Sequence, residues 1–282
     1  MINKLLVLLA IVGCVHGQLF KPKCPPRGCG LVCDQQYCAE GTTHVGCIKK
    51  IVFSKHCGLG VHRYVHVDGS LREDILQYVN VFRNRVASGL FNMSAAAHMP
   101  TMAWDEDLAS SSKVLVHNCD HKGKLCSNTE KYNFVATIEL SGSLKNYQNV
   151  AKDLIDVLVP TWLGDLSGCR MDREHHIRPR TKGACVGHYI PLLQDRGDRM
   201  GCAVRLTENL NPKGVSSVTM ICNLSRANVN DMLPYDVGLV PGEDCAAGRS
   251  SVYEFLCDPE EQVDNNYVEA ISEAEGCQPS EK

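Results

Sequence analysis

The chain has no apolar run near the ~20 residues needed to span a bilayer, no excess of positive charge and no internal repeat. Lys and Arg number 29 against 32 Asp and Glu, which gives a net charge of −3 and a pI near 6.4. That balance supplies no basic surface for nucleic acid or an anionic membrane. Proteins and small ligands are therefore the expected partners. Two catalytic signatures are also missing. There is no Gly-x-Ser-x-Gly nucleophile elbow and no His-Glu-x-x-His zinc helix. Nearly all cysteines are expected in bridges, so a cysteine nucleophile is not expected, nor is a cofactor.

Cysteine itself is abundant, at sixteen residues. Residues 1–17 read as a signal peptide. Lys4 is the positive flank, Leu5 to Val12 the short apolar stretch, and Val15-His16-Gly17 precedes a cleavage ahead of Gln18. The fifteen cysteines beyond it imply an oxidising compartment, so the expected location is secreted and extracellular. Fifteen is odd: at most seven disulfides can form, with one thiol left over. Asn92-Met93-Ser94 and Asn223-Leu224-Ser225 are glycosylation sequons, as expected of an exported chain.

The hydrophobic fraction of 44% supports one large domain with small extensions. Residues 18–60 hold six cysteines and little periodicity, and read as a disulfide-tied N-terminal extension. Ser70-Leu71-Arg72-Glu73 has the form of a capping box. Leu71, Ile75, Val79, Phe82 and Val86 then form one apolar stripe, which predicts a helix over 71–88 with Gly89 just beyond its end. A second helix is predicted after Asp105, with Leu108, Leu115 and Cys119 on one face. Residues 149–166 are a third candidate, interrupted at Pro160. Residues 184–194, 200–207 and 216–224 are rich in Val, Ile, Leu, Met and Cys and read as antiparallel strands. Helices followed by strands predict an α+β fold, an α/β/α sandwich with an antiparallel central sheet over 61–235. Residues 236–282 form an acidic tail with Cys245, Cys257 and Cys277.

These motifs, in their order, resemble the CAP superfamily of secreted proteins, and its insect antigen 5 branch most. Cys38-Ala-Glu-Gly-Thr-Thr-His-Val-Gly-Cys47 and Lys55-His56-Cys57-Gly58 resemble that branch's extension. Asn80, Arg83 and Val86-Ala87-Ser88-Gly89 resemble its first helix. Met102-Ala103-Trp104-Asp105-Glu106-Asp107-Leu108-Ala109 resembles the start of the second. Gly187-His188-Tyr189, Gly201-Cys202-Ala203 and Ile221-Cys222-Asn223-Leu224-Ser225 resemble the sheet.

The resemblance implies disulfides Cys33–Cys47, Cys38–Cys126, Cys57–Cys119 and Cys202–Cys222. Cys245–Cys257 is expected as a local tail bridge and Cys169–Cys185 as a further pair, leaving Cys24, Cys29 and Cys277. Many family members carry a cleft of two His and two acids, and some bind a metal there. The corresponding positions here are His188, Asp165, Thr137 and Gly123. One His is kept and one acid is shortened, while Thr137 and Gly123 hold no ligand. No metal is expected at so reduced a set. His121, two residues from Gly123, is the nearest substitute. The pairs His117/His121 and His62/His66, and the run Glu174-His175-His176, read as solvated polar groups.

The resemblance implies a non-enzymatic protein that binds extracellular proteins or a cell-surface receptor. A role in seminal fluid or the reproductive tract, in sperm function or the post-mating response, is the leading expectation. A salivary or venom antigen 5-like role is an alternative. So is a lipid or sterol carrier, with residues 90–99 covering a groove. A metal-dependent hydrolase using His188 ranks behind them. His188, Tyr189 and Asp165 are the cleft residues to test.

Overall fold

A computed structural model describes residues 31–119, 124–143, 150–152, 154–156, 166–181, 189–209, 216–228 and 233–268. Its strands are β1 (Thr43–His44), β2 (Val61–Val65), β3 (Ala103–Trp104), β4 (Leu125–Cys126), β5 (Ala136–Ser143), β6 (Cys169–Met171), β7 (Ile177–Pro179), β8 (Arg199–Glu208) and β9 (Ser217–Leu224). The two complete helices are α1 (Gly69–Ala87) and α2 (Glu106–Asn118). The main sheet runs β2-β8-β9-β5, antiparallel throughout, with β3 added in parallel to β8.

The sheet is covered on both faces, as the sequence predicts. Met200, Cys202, Val204, Met220 and Cys222 face the core that holds Ile75, Val79, Phe82 and Val86 of α1. Ala203 and Ile221 point the other way, against Val114, Leu115 and Val116 of α2 and Val45 of the extension. The period-2 alternation of side chains along β8 and β9 thus feeds two cores from one sheet.

The helix α1 starts earlier than expected. Asp68, not Ser70, is its N-cap: Asp68 Oδ1 accepts from the Leu71 amide at 3.0 Å. Ser70 lies inside the helix and donates its hydroxyl to the same oxygen at 3.0 Å. A carboxylate accepts these bonds more strongly than a hydroxyl and favours the positive end of the helix dipole. The apolar stripe is buried along its length. Gly89 follows the Ser88 C-cap at φ 82°, the left-handed turn that glycine takes without Cβ strain.

At α2 the predicted cap holds. Asp105 Oδ1 accepts from Asp107 N at 2.9 Å and Leu108 N at 3.0 Å. The helix packs tightly on the sheet because Gly201 has no side chain. A Cβ there would lie 2.1 Å from Ala109 N. Ser112 Oγ uses this closeness to donate to the Gly201 carbonyl at 2.8 Å and to accept from Asn223 N at 3.0 Å.

Three further expectations are corrected. Residues 189–194 are not a strand: Ile190–Leu193 is a 3-10 turn with Pro191 in its first positions, and Leu192 and Leu193 are both buried. Consecutive inward side chains do not suit the alternation of a strand. Residues 184–188 lie outside the described residues. The sheet is completed instead by β2 and by β5, where Ala136, Ile138 and Leu140 are buried and alternate with exposed Thr137 and Glu139. Cys119 does not lie on the inner face of α2. It is the half-buried C-cap at φ 58°, and is tied to Cys57. His62 belongs to β2 and not to a helix, so His62 and His66 share no helix face. Of the third predicted helix, residues 150–152 and 154–156 are helical, as are 166 and 167; Pro160 lies outside the described residues.

The bonds Cys33–Cys47, Cys38–Cys126, Cys57–Cys119, Cys202–Cys222 and Cys245–Cys257 are formed. Cys169 is disulfide-bonded as well. Cys24, Cys29, Cys185 and Cys277 lie outside the described residues. Two of these bridges fasten the extension to the domain, and β1 adds a short parallel ladder to β4. The tail is fastened too. Val237 bridges Ala96 and Cys257 bridges Pro100, with Leu256 and Cys257 fully buried. The Arg226 guanidinium donates to the carbonyls of Asn265 (2.8 Å) and Tyr267 (2.6 Å).

Candidate functional site

Of the four expected cleft positions, His188, Asp165 and Gly123 lie outside the described residues, as does His121. Thr137 stands on β5, exposed, and donates Oγ1 to Asn223 Oδ1 at 2.6 Å. Asn223 donates in turn to Ser111 Oγ (2.7 Å) and Ser127 Oγ (3.2 Å). Thr137 is therefore one end of a neutral hydrogen-bonded row beside α2, with no carboxylate in it. Tyr189, next to the expected His188, is fully buried, with its ring edge-on to Phe82 at 5.8 Å. It is a core residue and not a surface probe of a cleft.

The two sequons differ in exposure. Asn223 is 0% exposed and its amide is spent on three side chains. A sugar at this position is incompatible with the folded sheet, which corrects the expectation for Asn223. Asn92 is exposed at the end of a short turn (Leu90–Asn92).

A groove of about 390 Å³ opens between α1 and the helical residues 150–152 and 154–156. Asp74, Gln77, Tyr78 and Val81 form one wall, and Ala151, Lys152 and Ile155 the other. Lys152 Nζ pairs with Asp156 at 3.0 Å, one helical turn away. The groove combines aliphatic side chains with a cation, a carboxylate, an amide and a phenol, a mixture that suits an amphiphile with one polar end. Residues 90–99 do not cover it as a loose flap. Met93, Ala96, Ala97 and Met99 are buried in the domain, because their side chains fill space beside α1 and the tail.

Other titratable groups are structural. Arg83 is completely buried and donates to the carbonyls of Pro100, Leu192, Gln194 and Gly197. Burial pulls its pKa down to about 10, against the attraction of Asp195 and Asp198, and it stays charged at neutral pH. His117 stacks on Phe53 at 4.4 Å and its Nδ1 lies 2.7 Å from the Lys113 carbonyl. Burial lowers its pKa, which favours the neutral ring. His98 and Glu261 meet at 3.1 Å beside Cys257, whose sulfur is already in a disulfide. Glu261 also accepts the amides of Ala246 (3.0 Å) and Ala247 (2.7 Å), so this pair clamps the tail.

The cluster that sequence reasoning left as solvated groups is tighter than expected. Asp172, two residues before Glu174, joins it. The ligand atoms of Asp172, Glu174 and His176 lie within 4.8 Å of one another. The alternation Asp-x-Glu-x-His was the available signal. It was hidden because the spacing has meaning only once the segment is known to be a hairpin turn.

A profile of the cysteine-rich secretory protein family, CAP, matches residues 76–224. The chain belongs to this family. Venom allergen-1 of Aedes aegypti is 27% identical over 231 residues, covering 82% of this chain and 88% of that protein. Tabinhibitin 2 of Tabanus yao is 26% identical over 231 residues, covering 81% and 87%. The solved structure of BmVAL-1 aligns with a TM-score of 0.48 at 14% identity, over 68% of this chain and 95% of that one. Among the described residues, no helix is long and apolar enough to cross a membrane.

Proposed function

We propose that this protein is a secreted, non-enzymatic binding protein of an extracellular fluid, in which a disulfide-tied scaffold presents the groove between α1 and residues 150–156 to an amphipathic ligand. Residues 1–17 serve as the signal peptide, 18–60 as the tied extension, 61–235 as the CAP domain and 236–282 as the acidic tail. The groove carries the reading. Val81, Ala151 and Ile155 offer apolar contact while Lys152 and Tyr78 offer a charge and a hydroxyl for a polar head. A lipid or sterol is the ligand class this combination fits best. The bound form then meets a protein or cell-surface receptor.

Solvent extraction of the secreted protein followed by mass spectrometry tests the ligand. A stoichiometric amphiphile, lost in Val81→Asp, supports the carrier reading. Protein that neither carries nor takes up any lipid removes it and leaves recognition of proteins alone.

The setting is a second question. The relatives named venom allergen-1 favour a salivary or venom role, while the reduced cleft set favours a specialised one such as seminal fluid. Measurement of the transcript in salivary gland and in male and female reproductive tract separates them. Transcript confined to the salivary gland excludes the reproductive role.

A further inference from the structure

The strands β6 and β7 form a hairpin with a fixed base. Cys169 is buried and disulfide-bonded, Met171 and Ile177 pack against the main core, and Arg180 N donates to the Gly168 carbonyl at 2.8 Å. The turn between them is Asp172-Arg173-Glu174-His175-His176. Asp172 N donates to the His176 carbonyl at 2.9 Å, and His175 N to the Asp172 carbonyl at 3.1 Å. His175 takes φ 61°, the left-handed conformation that reverses the chain. Asp172 Oδ1 accepts the amides of Glu174 and His176, both at 2.9 Å, so the backbone of the turn itself orients this carboxylate.

Within this turn, His176 Nδ1 is shielded from solvent and has no hydrogen-bond partner. It lies 3.8 Å from Asp172 Oδ1 and 3.7 Å from Glu174 Oε2, beyond hydrogen-bond reach of either. That nitrogen faces two carboxylates and makes no hydrogen bond within the protein, on a side chain that is 42% exposed overall. Donors bound to one cation at about 2.0–2.2 Å stand roughly 3–4 Å from each other, and both distances from His176 Nδ1 to the carboxylates fall in that range. Arg178 Nε contacts Asp172 Oδ2 at 3.1 Å, while the Glu174 side chain is 79% exposed.

We propose that Asp172, Glu174 and His176 form a divalent-cation site on the β6–β7 turn. An imidazole with two carboxylates suits a borderline ion such as Zn²⁺, with water completing the coordination. The site shares no residue with the expected family cleft, and all three ligands come from one five-residue turn whose backbone is already set.

Calorimetric titration of the untagged, full-length, disulfide-intact protein with zinc chloride tests this. The wild type and His188→Ala are expected to bind one equivalent. His176→Ala is expected to weaken binding roughly tenfold or more, since even outer-shell partners carry 10–100-fold effects. Glu174→Gln serves as a second variant. Its side chain is 79% exposed, so the change does not threaten folding, and the same direction of loss is expected. The proposal is overturned by no saturable binding in the wild type. It is equally overturned by unchanged affinity in both His176→Ala and Glu174→Gln, or by loss of the ion in His188→Ala alone, which would place it in the cleft.

Discussion

Arg83 donates twice to the carbonyl oxygen of Pro100, from Nε at 3.2 Å and from Nη2 at 2.8 Å. With its bonds to Leu192, Gln194 and Gly197, this one side chain ties the segment before α2 to the segment before β8. Arg83→Met fills much of the volume and leaves the carbonyls of Pro100, Leu192 and Gly197 short of a donor, while Gln194 keeps the Gly197 amide. Each unsatisfied group costs about 1–3 kcal/mol, so a total loss of roughly 3 kcal/mol or more is expected in denaturant unfolding. Arg83→Lys cannot span four acceptors and should recover less than half of that. A loss within about 0.5 kcal/mol, the range of ordinary surface changes, would refute this role.

A second expectation concerns acid. Burial alone would raise the pKa of Asp105. The Lys131 ammonium at 2.7 Å, the Leu108 amide and the Tyr132 hydroxyl at 2.9 Å outweigh it and hold the carboxyl below its ordinary 3.8. A depressed carboxylate stabilises the fold above its unfolded pKa, and that contribution disappears as pH falls through the folded value. The melting-temperature gap between wild type and Asp105→Asn should be constant from neutral pH to about pH 5 and close below about pH 4. A gap independent of pH would mean that the cap acts without its charge.

The Cys57–Cys119 bond closes 62 residues of sequence between the extension and the end of α2. Replacing both cysteines by serine should cost about 2–4 kcal/mol. Limited proteolysis should then cut first within residues 48–60, which the bridge and the Ser54 N bond to the His117 carbonyl hold in place. Unchanged proteolysis would show that the aromatic contact of Phe53 with His117 is sufficient alone.

The two sequons give a further contrast. Glycosidase treatment of secreted wild type should remove one sugar, and Asn92→Gln should abolish it. Asn223→Gln should leave the sugar in place and destabilise the protein, since a longer amide cannot reproduce the contacts to Ser111, Ser127 and Thr137. A sugar found on Asn223 would contradict the buried position of β9.

The helices were readable because burial writes itself as a 3.6-residue period. Leu71 to Val86 gave α1, and Asp105 gave the start of α2. The α1 cap was misplaced because Ser70 and Asp68 both fit locally, and only tertiary packing fixes the first turn. Leu192 and Leu193 looked like strand residues because apolar content alone does not distinguish a buried strand from a buried turn. Both side chains join the core, and their turn is held by Arg83, more than a hundred residues away in sequence, through the Leu192 and Gln194 carbonyls. The strand β5 is missed by a reading that takes Thr137 only as a cleft position and not as part of the alternation Ala136-Thr137-Ile138. The apolar run over 216–224 places Asn223 in a strand, but the full burial of its side chain has no local signature. That follows from Gly201, which lets Ser111 and Ser112 approach β9. The groove between α1 and residues 150–156 likewise joins segments about seventy residues apart, and its lining has no sequence signature.

The most direct measurement is mass spectrometry of solvent extracts from the secreted protein and from Val81→Asp, prepared in parallel. A stoichiometric amphiphile in the wild type, absent from a folded Val81→Asp, is the predicted result. An empty wild type that also fails to take up fatty acid or sterol would contradict the ligand-carrying account.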